Sequence, residues 1–186
     1  MIIRTAIVAD APQIAELWNP LIDATSITFT SEKKTIDGLE AVIRARGDAF
    51  KVIEEGGTLQ GFATFFQFRA GPGYARTMEH SIILASQAQG RGQGKKLMAA
   101  LEAEARQSGV HSLWAGVSGE NPAGVAFHRK IGFDVIARLP QVGYKFDRWT
   151  ACPRSSHSGT HRSVFWVSYS AIFSETGRKL NELKYV

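Results

Sequence analysis

One segment constrains the fold more than any other: Gln89-Gly90-Arg91-Gly92-Gln93-Gly94-Lys95, three alternating glycines between an isoleucine-rich run and a long amphipathic stretch. Glycine inside a regular element costs roughly 0.5–1 kcal/mol relative to alanine, so neither a strand nor a helix is expected to run through all three. Residues 78–84 therefore end as a strand before the glycines. Beyond them Leu97, Met98, Leu101 and Ala105 recur at helical spacing, which predicts a helix over 94–108. A glycine-rich turn at a helix start exposes unpaired backbone N–H groups that suit an anion, and Arg91, Lys95 and Lys96 add positive charge. A pyrophosphate fits such a cradle. A plain strand-to-helix turn with no ligand uses the same glycines, and the segment alone leaves both readings open.

The rest of the chain alternates the two element types. Residues 2–8 mix β-branched side chains with Arg4 and Thr5, as a strand does. A helix follows from Asp10, read as an N-cap with Gln13 as its capping-box partner, and Ile14, Leu17 and Trp18 begin its apolar stripe. Pro20 lacks the N–H and crowds the preceding turn, so a kink or break is expected there. Residues 35–46 carry Ile36, Leu39, Val42 and Ile43 at helical spacing, with Gly47 as a stop. Runs 50–54 and 59–68 flank Glu55-Gly56-Gly57, a hairpin signature, and Gly71, Pro72 and Gly73 make 69–76 a loop. Residues 111–117 read as a strand, Asn121-Pro122 as an N-cap followed by proline at the first helical position, and Gly132 as that helix's end. Residues 133–139 and 142–146 complete the strands, giving an α/β alternation around a central sheet.

At 186 residues the chain suits one domain with a sizeable core. With 44% hydrophobic and 21% charged residues it is expected to fold rather than stay disordered. A net charge of +5 favours anionic partners without choosing among nucleic acid, acidic membrane and phosphorylated cofactor. Cys152 is the one cysteine, which excludes an intrachain disulfide, and the five histidines lack metal-ligand spacing, so no metal is expected. No apolar stretch reaches the roughly 18 residues of a membrane span, and residues 1–10 lack a signal-peptide pattern, so a cytoplasmic protein is the expectation. Composition shifts at Thr150: of the 37 residues from there on, seven are serine, five are Lys or Arg and two are acidic. The expected division is a domain over 1–149 and an atypical extension over 150–186.

Two nucleotide motifs are excluded. A Walker loop needs glycine and a hydroxyl residue where Gln89 and Lys96 stand, and in a dinucleotide fingerprint the third glycine comes one residue later. What fits is Gln/Arg-x-x-Gly-x-Gly/Ala, as Gln89-x-x-Gly92-x-Gly94, followed by Asn121-x-x-Gly124-x-x-Phe127-His128-x-x-x-Gly132-Phe133. Together these resemble the two acyl-CoA signatures of the GNAT N-acetyltransferase superfamily. Thr77-Met78-Glu79-His80-Ser81 further resembles the Thr-Val-Glu-His-Ser segment of its phosphinothricin and methionine sulfoximine acetyltransferase group. Asn19, Thr25, Phe29, Arg69, Tyr74 and Gly143-Tyr144-Lys145-Phe146 before Arg148-Trp149 match as well. The likeness spans residues 2–149. That group ends with a short acidic and apolar strand, which 150–186 does not resemble, and 164–173 is the candidate to replace it.

The resemblance implies a GNAT-like acyl-CoA N-acyltransferase fold, with a central mixed, mostly antiparallel sheet flanked by helices. It implies acetyl-CoA as co-substrate, a small amino-acid-like amine as acceptor, a homodimer, and no nucleic-acid or membrane partner. Ile82, Ile83 and Leu84 would present strand backbone to pantetheine, Gln89, Gly90, Arg91, Gly92, Gln93, Gly94 and Lys95 would hold the pyrophosphate, and Asn121 would reach the pantetheine arm. Amine acetylation needs a neutral nitrogen beside the thioester and a proton for the departing thiolate. Glu79 is the candidate base, with a paired surface carboxylate as the other reading. His128 stands where many members carry a tyrosine acting on the thiolate, and is otherwise a histidine on a helix's outer face. His80 and His111 are read as structural. Arg69 and Arg76 suit a substrate carboxylate or phosphinate, and Phe29 and Tyr74 the pocket walls, with solvated arginines and ordinary core aromatics as the alternatives. Two other functions stay open: an acyl-CoA-binding domain without turnover, and nucleic-acid binding through the dispersed Arg154, Arg162, Arg178 and Lys179.

Overall fold

The computed structural model describes residues 1–149 and, by their backbone, 163–169. The strands are β1 (Ile2–Thr5), β2 (Phe50–Glu55), β3 (Thr58–Gln67), β4 (Thr77–Leu84), β5 (Ser112–Ser118), β6 (Asp134–Pro140), β7 (Tyr144–Lys145), β8 (Arg148–Trp149) and β9 (Ser163–Tyr169). The α-helices are α1 (Ala11–Ala24), α2 (Ile36–Arg46), α3 (Gln93–Gln107) and α4 (Pro122–Lys130). Seven strands make one sheet in the order β1-β2-β3-β4-β5-β9-β6, antiparallel except at β4–β5. This is the mixed, mostly antiparallel sheet with flanking helices that the resemblance implied.

β3 explains why helices are needed on both sides. Residues 59–65 are buried without a break, so neither face of the strand meets water. Phe62 packs with Phe50, Val52 and the α1 and α2 residues Ile14, Leu39 and Ile43, whereas Ala63 and Phe65 pack with Leu97, Met98 and Leu101 of α3. Each large side chain buried in this way contributes about 1.5–3 kcal/mol. Gly56 and Gly57 join β2 to β3 at φ 60° and 80°, the left-handed pair that a two-residue hairpin turn demands.

Several local expectations give way to longer-range partners. β1 stops at Thr5, and Asp10 makes no side-chain cap on α1. Its carboxylate instead takes the Arg4 guanidinium at 2.7 and 2.8 Å and the Ile7 N–H at 2.8 Å. Gln13 accepts a hydrogen bond from the Leu59 N–H at 2.9 Å, tying α1 to the sheet rather than closing a capping box. α1 runs unbroken through Pro20: the proline withdraws one backbone bond, while Ile14 and Ile22 on either side bury almost completely. Residues 142–146 do not extend the central sheet, because Tyr144 and Lys145 pair with Trp149 and Arg148 in a separate ribbon.

β9 lies between β5 and β6 and pairs antiparallel with both. The compositional boundary at 149/150 thus falls within the run of strands that build one sheet, and residues 150–162 and 170–186 of the expected extension lie outside the described residues. Removing residues 150–186 withdraws the hydrogen-bond partner of two strands at once. A chain ending at Trp149 is expected to lose its cooperative thermal transition or to melt far below the full chain. An unchanged melting curve by circular dichroism would show that the sheet stands without β9.

Candidate active site

β4 and β5 pair only from Thr77↔Ser112 to Glu79↔Trp114, and then part. Each keeps its outer neighbour, β4 with β3 as far as Leu84↔Gly61 and β5 with β9 as far as Ser118↔Val164. Among the described residues, their facing edges beyond that point have no ladder partner. A cleft of about 280 Å³ occupies the gap, bounded by Ser81, Ile82 and Ile83 of β4 and Ala115, Gly116 and Val117 of β5. Trp18 and Leu21 of α1 with Ile27, Thr28 and Phe29 wall one side, and Asn121 and His128 the other. A more open hollow of about 420 Å³ lies beside β6 at Arg129 and residues 134–138 and holds none of the expected site residues.

Glu79 and His80 both reach this cleft from opposite faces of β4. Cross-strand partners share a face, so Glu79 opposite Phe66, and Ser81 opposite Thr64, lie on the side where Phe62 and Ile83 pack toward α1 and α2. His80, opposite Phe65, lies on the α3 and α4 side. Burial holds the Glu79 carboxyl above the usual carboxylate range. Among the described residues it has no hydrogen-bond or ion-pair partner. It is therefore free to accept a proton and poorly solvated when it has none.

His128 is buried rather than on an outer helix face, and His80 meets it, Nε2 to Nε2, at 3.1 Å. Nδ1 of His80 lies 3.0 Å from the Trp114 carbonyl and Nδ1 of His128 lies 2.7 Å from that of Gly124. Burial and then the facing imidazole lower His80 to about 3, against the Trp114 carbonyl, and burial lowers His128 against the Gly124 carbonyl. The two rings thus do not carry a charge each near neutrality. Nothing in the sequence around His80 distinguished it from a structural histidine, because its partner is 48 positions away.

The glycine turn divides its labour. Gly90 and Gly92 have φ of 74° and 76°, which side chains rarely adopt, and both lie open to solvent with Gln89, Arg91 and Lys95. Gly94 is buried for a different reason: a Cβ there would stand 3.0 Å from Leu84 Cδ1 and 3.1 Å from Phe127 Cε2, so its absence lets α3 close on β4 and α4. The first helical bond runs from Lys96 N–H to the Gly92 carbonyl, and the preceding amides lack intrahelical acceptors. These open amides and the adjacent cations have the chemistry of an anion cradle. Gln93 is buried with Oε1 unpartnered, so it packs behind the turn rather than facing an anion. Asn121 caps α4 through Gly124 N–H at 2.8 Å, and a Cβ on Gly124 would collide with its amide at 2.5 Å.

Phe29 lines the cleft, whereas Arg69, Tyr74 and Arg76 stand exposed on the loop before β4 and do not line it. The β7–β8 ribbon holds the Phe29 wall in place. Lys145 is buried and donates to the carbonyls of Thr25 and Thr28 at 2.8 and 3.0 Å, and Arg148 pairs with Glu120, which also accepts from Ser26 Oγ at 2.6 Å. No group of three metal-ligating side chains occurs among the described residues.

Residues 15–133 match the model of the Acetyltransferase (GNAT) family. The chain is 38% identical over 152 residues to the L-amino acid N-acyltransferase MnaT of Escherichia coli, covering 80% of this chain and 88% of that one. It is equally 38% identical to a Salmonella typhimurium L-methionine sulfoximine/L-methionine sulfone acetyltransferase, covering 80% and 89%. The structure of yncA from Salmonella typhimurium with its cofactor acetyl-CoA superimposes with a TM-score of 0.81 at 33% identity, over 91% of this chain and 93% of that one.

Because burial raises the Glu79 pKa, the protonated carboxyl favours the fold below the ordinary carboxylate pKa, and that contribution is lost as pH rises through the raised value. Glu79→Gln is therefore expected to raise the melting temperature at neutral pH and to leave it unchanged in acid. Equal melting of variant and parent across that range would contradict a desolvated carboxylate.

Proposed function

The chain belongs to the GNAT acetyltransferase family, and from that premise we propose that it transfers the acetyl group of acetyl-CoA to the amine of a small amino-acid-like substrate by direct attack in a ternary complex. One observation carries the reading: a single strand joins the two halves of the chemistry. Glu79 stands near the start of β4, the unpaired edge at residues 82–84 follows, and the glycine turn lies just beyond Leu84. Five residues of extended chain span about 17 Å, so an anion held at the turn reacts beside Glu79 only if a long arm links its phosphates to the reactive group. Coenzyme A has that arm.

The turn's exposed amides at residues 90–92 with Arg91 and Lys95 suit the pyrophosphate, with Gln89, Gln93 and Gly94 shaping the turn around them, and the strand edge at Ile82, Ile83 and Leu84 offers backbone partners to the amides of the pantetheine, with Asn121 opposite. The bound thioester supplies an activated acetyl group. An amino-acid amine is mostly protonated at neutral pH, so attack requires that a proton leave, and Glu79 accepts it directly or through water. The nitrogen then bonds to the carbonyl carbon as the carbon–sulfur bond breaks, and the second proton that the nitrogen sheds goes to the thiolate, leaving the amide and free coenzyme A. His128 is the group assigned to the sulfur side of the cleft. Phe29, Trp18 and Leu21 wall the acceptor side, which favours a compact apolar-bodied amino acid of the kind named for the relatives. Arg69, Tyr74 and Arg76 are assigned to its outer end, at the loop before β4. A homodimer is part of the proposal, supported by the exposed Val142, Tyr144, Phe146 and Trp149, as is a cytoplasmic setting where acetyl-CoA is supplied.

Acetyl-CoA is expected to raise the melting temperature while ATP and NAD do not, because a ligand of the native state alone stabilises it. Gly92→Val should abolish that response, since valine opposes the left-handed φ and fills the space before the amides. In an acetylation assay with a panel of amino acids, Glu79→Gln is expected to lower kcat by about 10²- to 10⁴-fold at neutral pH, with partial recovery at high pH and little change in acetyl-CoA affinity. Stabilisation by acetyl-CoA with no turnover of any amine would favour a binding domain instead.

A further inference from the structure

The two histidines beside the cleft have a proton inventory that their geometry decides. Each Nδ1 faces a backbone carbonyl, at 3.0 Å for His80 and 2.7 Å for His128, and a carbonyl oxygen only accepts, so both Nδ1 atoms carry hydrogens. Turning either ring over would set a C–H against that oxygen, and such contacts sit at about 3.3–3.6 Å, longer than either distance here. With both Nδ1 atoms protonated, two neutral rings would face each other with lone pairs alone across 3.1 Å. Two acceptors in contact, both away from water, are unfavourable, and a single added proton turns the contact into a charge-assisted hydrogen bond. The two carbonyls, which accept from the outer edges of the rings, stabilise the charge that this proton brings. Burial lowers each imidazole taken singly and opposes this charge; the hydrogen bond shared across 3.1 Å and the two carbonyl contacts are what offset it, with the charge spread over two rings.

We propose that His80 and His128 hold one proton in common between their Nε2 atoms, so that the pair carries a single positive charge beside the cleft and His80 is a positioning residue for His128. The pair then holds three ring N–H hydrogens instead of two. Among the described residues no group on the surrounding elements supplies a counter-charge at contact. Glu79 belongs to the opposite face of β4, and β5 offers the Trp114 carbonyl and no ionisable side chain. Arg129 and Lys130 of α4 are exposed, and Phe127 and Phe133 pack their rings on His128, with Phe133 also against His80. A second proton is resisted by burial and by the first. For acetyl transfer the charge lies on the side of β4 away from Glu79, where it stabilises the negative charge that develops on the thioester oxygen and sulfur. This last consequence rests on the proposed function, whereas the shared proton does not.

Long-range nitrogen–proton correlation spectra of the nitrogen-15-labelled free protein at neutral pH test it without any assay. The expected result is pyrrole-like shifts for both Nδ1 atoms and shifts midway between pyrrole-like and pyridine-like for both Nε2 atoms, moving together on titration with base. Pyridine-like shifts for both Nε2 atoms at neutral pH would overturn the shared proton, whatever the activity. His80→Gln keeps a hydrogen bond to His128 but cannot share a charge. It is expected to lower kcat at least about 10-fold, to shift the pH profile of kcat, and to leave acetyl-CoA affinity unchanged. A folded variant with the parental kcat and pH profile would remove His80 as a positioning residue, and the parental spectra stand if the variant fails to fold.

Discussion

The site depends on the place where β4 and β5 cease to pair. Backbone N–H and C=O groups require partners, and a sheet normally supplies them along a strand's whole length. Here the parallel ladder ends at Glu79↔Trp114, and each strand leans on its outer neighbour from there on. Among the described residues, the gap is therefore lined by strand edges without a ladder partner inside an otherwise continuous sheet. A ligand with amides in an extended arm can complete those bonds, and helices pack on both faces of the sheet.

That opening also separates two kinds of electrostatic environment. Since side chains alternate across a strand, the adjacent residues Glu79 and His80 serve opposite faces. One face holds a carboxyl whose proton affinity burial raises; the other holds two imidazoles braced by carbonyls and aromatic rings. A buried carboxyl and a pair of facing imidazoles thus sit on either side of the same gap. In the proposed acyl transfer, nitrogen loses a proton on the Glu79 side and sulfur gains charge on the histidine side.

The walls of the cleft are held from a distance. Lys145 is nearly inaccessible, yet its ammonium is satisfied by two carbonyls of the segment that leads to Phe29. Arg148 reaches Glu120, next to the Asn121 cap of α4. A two-stranded ribbon is marginal alone, and these contacts join it to both walls.

Features whose hydrogen bonds close within a few residues were legible in the sequence. Asn121 caps its helix as expected, Gly56-Gly57 makes the hairpin turn, and Gly90 and Gly92 adopt the left-handed backbone that no other residue takes as readily. Helical spacing likewise identified the buried stripe of α3. Where a polar group had two possible partners, the chain alone could not choose between them. Asp10 and Gln13 left the local cap for Arg4 and Leu59, and 142–146 left the sheet for its own ribbon. Composition set 150–186 apart, though backbone pairing draws Ser163–Tyr169 between β5 and β6. The sequence by itself determined the elements and the glycine turn, because these rest on local backbone geometry. Only the tertiary structure decided where β4 and β5 part and that His80 meets His128, because both depend on contacts between residues far apart along the chain.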